Sequence, residues 1–313
     1  MTVVLQGSMT ALATPFTQDG LDQRRFEDLV DRQIGAGVSG LVPCSDIGET
    51  STLTAGERHR LIRACVEGAS GRVPVIAGTG TNCTVTTIEQ TRAAQAAGAD
   101  AALIVTPYYN KPSQEGLFRH FEAVASAVDL PIILHNVPKR TGVDLHFSTV
   151  ERLARIPTIV GIEDASGDVD RPRVTALVAG PDFTQMCGDD AAAVTFNIAG
   201  GRGCVSAVAN LVPSLCRDLQ RACRGKDWVR ARALQHRMGP LLDALSRDIS
   251  PGPVKFALSL LQSGFSPGTR LPLVGVAPDT AAEIEDALVG LGLLPCPAGF
   301  PPGDARPGPP SQV

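Results

Sequence analysis

Val160-Gly161-Ile162-Glu163-Asp164-Ala165-Ser166-Gly167 is a short apolar run that stops in two carboxylates and a turn of small residues. A run of this length without polar alternation suits a parallel strand buried on both faces. Counting its strand as residues 158–162, seven similar runs accompany it, at 9–13, 40–43, 73–77, 101–105, 131–134, 183–186 and 204–208. Helix-like stretches lie between them, among them 22–34, 55–70, 84–97 and 113–128. Asp22 and Thr54 are placed to cap helix starts, and Gly35 or Gly98 to close helix ends. Eight strand–helix alternations predict a (β/α)8 TIM barrel, in preference to a doubly wound sheet. Catalytic groups in such a barrel sit at the carboxyl ends of the strands, where Glu163 and Asp164 fall.

After Asn210 the pattern becomes helical throughout, with candidates at 211–224, 228–248, 253–262 and 280–291. The expected organisation is a barrel over residues 1–224, a small C-terminal helical domain over 225–295 and a mobile Pro/Gly-rich tail over 296–313. In a chain of 313 residues, 43% hydrophobic and 19% charged, one barrel with an appendix is accommodated easily. A net charge of -4 gives no basic footprint for nucleic acid. No apolar run has the length of a membrane span, and the N-terminus lacks the pattern of a secretory signal. The eight cysteines form no C-x-x-C pair, so reduced buried thiols in a cytoplasmic protein are expected, without cofactor or resident metal.

The strand ends converge on one mouth. They supply Ser45-Asp46-Ile47-Gly48-Glu49-Thr50, Gly78-Thr79-Gly80, Thr106-Pro107-Tyr108-Tyr109-Asn110, His135-Asn136, Glu163-Asp164 and Gly188-Asp189-Asp190. Gly78-Thr79-Gly80 suggests a dinucleotide loop only weakly, since Cys83 holds the third glycine position of that motif.

These segments, with Asn136-Val137-Pro138, Arg140-Thr141-Gly142, Pro253-Val254-Lys255 and Arg270-Leu271-Pro272, resemble the dihydrodipicolinate synthase/N-acetylneuraminate lyase family, on its synthase branch. The resemblance runs from about Gly7 to about Leu294. It implies a barrel with a helical C-terminal domain, a homotetramer built from tight dimers, and a 2-oxo acid substrate. It also implies a Schiff-base lysine at the position of Glu163, a tyrosine proton shuttle at His135 and paired threonines at Asp46 and Ile47. Tyr109 matches the relay tyrosine that crosses the dimer interface, and Arg140 the residue that holds the substrate carboxylate. Thr50, Gly188 and Val205 fall with Arg140 in the substrate-binding set.

A carboxylate cannot form an iminium with a ketone, and the replacements Glu163, His135 and Asp46 are all ionisable. The favoured expectation is therefore acid–base lyase chemistry without a Schiff base on a small carboxylate, with Glu163, His135, Tyr109 and Asp46 as catalytic groups. On that reading dihydrodipicolinate synthase activity itself is not expected, and a carboxylate near His135 favours its imidazolium. Two alternatives stand beside it. One is an inactive homologue that binds carboxylates or a partner protein; the other is a metal-assisted lyase using Asp46, His135 and Glu163. Each residue also has a plainer role open to it: Glu163 as a charge partner, His135 as a space-filler, Asp46 as a turn cap and Tyr109 as interface packing. Of the lysines, Lys139 alone lies in a mouth loop beside these groups.

Overall fold

A computed structural model of the chain describes residues 5–296. Eight strands build the barrel: β1 (Gly7–Ala11), β2 (Gly40–Val42), β3 (Ile76–Gly78), β4 (Ala101–Val105), β5 (Ile132–Asn136), β6 (Ile159–Asp164), β7 (Thr184–Cys187) and β8 (Gly203–Ser206). All pair in parallel, in the order β2-β1-β8-β7-β6-β5-β4-β3, and a parallel bridge between Leu41 and Val75 joins the two ends of that order. The flat apolar runs have the expected cause: every residue of β1, β2, β3, β5, β7 and β8 is buried. Helices α1 (Gln23–Ala36), α2 (Ala55–Ala69), α3 (Thr84–Ala96), α4 (Gln114–Ala127), α5 (Phe147–Leu153), α6 (Arg171–Ala179), α7 (Ala193–Ile198) and α8 (Pro213–Arg224) alternate with the strands. The fold is a TIM barrel.

Local sequence sets the helix ends. The Asp22 carboxylate accepts from the Arg25 amide at 3.1 Å, and Thr54 forms a capping box with Glu57. Gly35 does not close the first helix. It lies inside α1, and Gly37, at φ 78°, makes the left-handed turn that ends it. A short helix, Pro138–Thr141, sits in the loop after β5 and carries Lys139 and Arg140.

Three further helices follow: α9 (Trp228–Leu245), α10 (Gly252–Leu261) and α11 (Pro278–Gly290). Helix α9 packs against α8 and α11. No helix among the described residues is long and apolar enough to cross a membrane. The tail expected to be mobile lies outside the described residues except for Cys296.

The C-terminal helices are tied to the barrel mouth by charge. Lys255 of α10 donates to Glu49, in the loop after β2, at 2.7 Å, and both side chains are fully buried. The second Glu49 oxygen accepts from the Arg270 amide at 2.9 Å, while the Arg270 guanidinium binds Glu57 and stacks on Phe16. Burial pulls the Lys255 ammonium below its usual range, against the opposing pull of Glu49. Deleting one partner would strand the other's charge in the interior. Lys255→Met is accordingly expected to lower the unfolding free energy by about 3–5 kcal/mol in chemical denaturation. Arg63→Ala, which removes an exposed helix pair with Glu67, should change it by less than about 0.5 kcal/mol.

Candidate active site

Strand register decides which strand-end residues face the barrel interior. In the β5–β6 ladder His135 pairs with Glu163, and Asn136 with Asp164. Successive side chains of a strand point to opposite faces, so the two pairs separate. Asp164 turns toward the helix layer. One oxygen takes hydrogen bonds from Ser166; the other accepts from Asn136 at 3.0 Å and forms an ion pair with Arg171 at 2.8 Å. It is a fully engaged structural carboxylate. His135 and Glu163 turn the other way, with Nε2 and Oε1 3.6 Å apart, and they are only 6% and 5% exposed.

Burial dominates the electrostatics of this second pair. Desolvation pushes the Glu163 carboxyl well above its usual range, and the charges of Asp46, Cys187, Asp164 and Asp190 push the same way. Its Oε2 is buried without a hydrogen-bond partner among the described residues. Desolvation lowers the His135 imidazole, and Asp46 only partly opposes this. The expected imidazolium is therefore not what the site favours: a protonated Glu163 offers no charge to hold one. Both shifts run toward the uncharged forms, a carboxylic acid beside a neutral imidazole. Gly188, at the end of β7, leaves room for it. A Cβ there would lie 2.9 Å from Glu163 Oε1 and 2.8 Å from the Ala165 methyl.

Two cavities open from the mouth. The larger, about 290 Å³, contains Glu163, His135, Lys139, Arg140, Gly188 and Val205. The other, about 220 Å³, is lined by Cys44, Thr50, Tyr108 and Thr141 among others. Asp46, His135, Val137, Arg140 and Ser250 line both. Arg140 Nε and Asp46 Oδ2 form an ion pair at 3.0 Å, and Arg140 Nη2 donates to the Ser250 carbonyl at 3.4 Å.

The candidate residues thus fall into separate groups. Glu163, His135, Arg140, Asp46, Gly188 and Val205 surround one space. Thr50 lines the neighbouring cavity, and its hydroxyl and carbonyl are both held by Arg58. Tyr109 lines neither cavity; it is 89% exposed, in a left-handed conformation at φ 71°. Sequence reading missed Ser250, which enters from beyond the barrel with no polar motif to mark it. It also missed the work of Asp190, whose buried carboxylate accepts from the Ala207 and Val208 amides and so braces the end of β8. Among the described residues no group of three or more His, Cys, Asp or Glu side chains is arranged to hold a metal ion. Asp46, His135 and Glu163 make no such set, because Asp46 is turned to Arg140.

Glu163 keeps its proton in the fold at pH values where the unfolded chain, with an ordinary carboxyl near 4.5, has lost it. Over that window the native state binds more protons, so this group's contribution to stability falls as pH rises. Replacing Glu163 by Gln should remove that slope. From about pH 5 to about pH 8 the melting temperature of Glu163→Gln should fall less than that of the parent chain. Parallel melting curves would show that Glu163 is ionised in the fold.

Comparison with known proteins bears directly on function. The chain matches the dihydrodipicolinate synthetase family over residues 4–290. It is 49% identical to a 4-hydroxy-tetrahydrodipicolinate synthase of Hyphomonas neptunium, covering 93% of this chain and 99% of that one. It is 48% identical to the Rhodospirillum centenum protein of the same name, covering 93% and 100%. A solved dihydrodipicolinate synthase from Acinetobacter baumannii, complexed with pyruvate, superposes with a TM-score of 0.90 at 41% identity, over 93% of this chain and 100% of that one. These relatives overturn the expectation that synthase activity has been lost to acid–base chemistry without a Schiff base, to an inactive scaffold or to a metal-assisted reaction. Near-half identity over whole chains that bear the synthase name supports the synthase reaction instead. The chain belongs to the dihydrodipicolinate synthetase family, whose members are lyases.

Proposed function

We propose that the chain is a lyase that condenses a 2-oxo acid such as pyruvate with an aldehyde, a reading supported by relatives named 4-hydroxy-tetrahydrodipicolinate synthase. The observation that carries this reading is the composition of the 290 Å³ cavity. It brings a guanidinium, an amine, a buried acid and an imidazole around one space. Arg140 holds the substrate carboxylate. The resemblance puts the family's Schiff-base lysine where Glu163 stands, so the amine comes from elsewhere, and Lys139 supplies it. Lys139 precedes Arg140 on the same short helix, lines the same cavity, and has its Nζ beside the turn at Gly167. No salt bridge among the described residues holds it.

The chemistry follows from those groups. The Lys139 amine adds to the 2-oxo carbon, and the carbinolamine loses its hydroxyl as water after a proton is delivered from Glu163. The imine gives up a methyl proton to become an enamine, and its carbon attacks the aldehyde carbon. His135, neutral beside Glu163, relays the protons. Hydrolysis of the product imine returns the free amine.

A homotetramer of tight dimers in the cytoplasm belongs to the same proposal. An exposed tyrosine held at φ 71°, as Tyr109 is, suits packing against a second copy. The buried, unpaired thiols of Cys44, Cys65, Cys187, Cys204, Cys216 and Cys223 suit a reducing compartment.

Borohydride reduction in the presence of pyruvate tests the amine. A stable adduct is expected on the peptide that contains Lys139, and Lys139→Met should lose both the adduct and turnover of pyruvate with aspartate semialdehyde. Absence of any lysine adduct would sink the condensation reading, and an adduct on Lys111, Lys226 or Lys255 would remove Lys139 from it.

A further inference from the structure

Among the described residues Arg140 is the only arginine lining the larger cavity, yet it is already engaged. Its Nε lies 3.0 Å from Asp46 Oδ2 in an ion pair, and its Nη2 donates to the Ser250 carbonyl. A substrate carboxylate seeking a bidentate grip on the guanidinium meets a cation already paired with another carboxylate. The pair also stands in the wall common to both cavities, since Asp46, Arg140 and Ser250 line each of them.

We infer that Asp46 is a built-in competitor for the substrate carboxylate: it latches Arg140 across the mouth, and binding of a carboxylate opens the latch. This rests on the proposed role of Arg140 in substrate binding and adds what controls that role. The Asp46 and Arg140 side chains are 32% and 39% exposed, so water screens the pair and opening it is cheap compared with breaking a buried ion pair. Asp46 swings without disturbing its loop. The loop is held by the Asp46 carbonyl, which accepts from the Glu49 amide at 3.1 Å, and by the buried Glu49–Lys255 pair. Opening the latch also removes the partition between the two cavities, so the space beside Glu163 becomes continuous with the one lined by Thr50 and Tyr108. Affinity for a carboxylate is thereby set lower than the arginine alone would give. The latch selects for ligands whose carboxylate grips the guanidinium better than one aspartate does.

Calorimetric titration with pyruvate and with lactate tests this. Lactate carries the carboxylate but has no 2-oxo carbon, so its binding does not depend on an imine. Asp46→Asn is expected to bind both ligands about fivefold more tightly, the range set by an exposed ion pair and the removed negative charge. Asp46→Ser should do the same. Arg140→Met should weaken binding, and in its presence Asp46→Asn should no longer have any effect. Equal or weaker lactate affinity in Asp46→Asn and Asp46→Ser would overturn the latch, as would failure of all forms to bind lactate. Tighter lactate binding without a borohydride adduct would leave the latch standing while the condensation reading fails.

Discussion

The contact between Lys255 and Glu49 governs more of this molecule than its two residues suggest. A fully buried ammonium and carboxylate 2.7 Å apart tolerate little movement, because separating them would leave each charge in a medium that cannot solvate it. Glu49 sits at φ 56°, a left-handed conformation that a non-glycine residue adopts at a cost. Its second oxygen is spent on the Arg270 amide, so one residue ties the loop after β2 to two separate parts of the C-terminal region. That loop carries Asp46, and Asp46 faces Arg140. The C-terminal helices thus take part in the geometry of the mouth: α10 anchors the loop, while Ser250, Leu242, Leu245 and Val254 complete the wall of the larger cavity.

A second constraint acts at the barrel's strand ends. Because β5 and β6 are in register, His135 and Glu163 turn inward together, and Asn136 and Asp164 turn outward together. Two adjacent acids therefore acquire opposite characters. Asp164 collects Ser166, Asn136 and Arg171 and serves the scaffold, whereas one oxygen of Glu163 has no hydrogen-bond partner among the described residues. Desolvation leaves Glu163 a proton donor rather than a counter-ion, and the same desolvation keeps His135 neutral. Opposite shifts of an acid and a base inside one cavity suit general acid–base work.

The barrel was legible in the sequence because each strand is a flat apolar run and each intervening helix carries its own stop or start chemistry, such as Asp22 or the Thr54–Glu57 box. That His135 and Glu163 stand at strand ends was legible too, but which neighbour of each faces inward follows only from the ladder. Less visible was anything that depends on three-dimensional proximity between loops. Nothing in the spacing of Asp46 and Arg140 says that they touch, and nothing marks Ser250 as a neighbour of either. The sign of the His135 shift was misjudged for a related reason. A nearby carboxylate favours imidazolium only when it is charged, and burial keeps Glu163 neutral. The largest error came from treating one position as decisive. Glu163 taken alone argued against the synthase reaction, whereas near-half identity over whole chains that bear the synthase name supports it.

Lys139 and Arg140 illustrate how a short element concentrates chemistry. The single turn Pro138–Thr141 begins with a proline that needs no amide donor and ends at Gly142, at φ 72°. Two cationic side chains leave it in succession and both reach the cavity of Glu163. In an extended loop, consecutive side chains would diverge to opposite sides. The tight turn brings an amine and a guanidinium to the wall of one cavity. Asp46 then limits which anions reach the guanidinium, so the turn after β5 and the loop after β2 jointly determine what the cavity accepts.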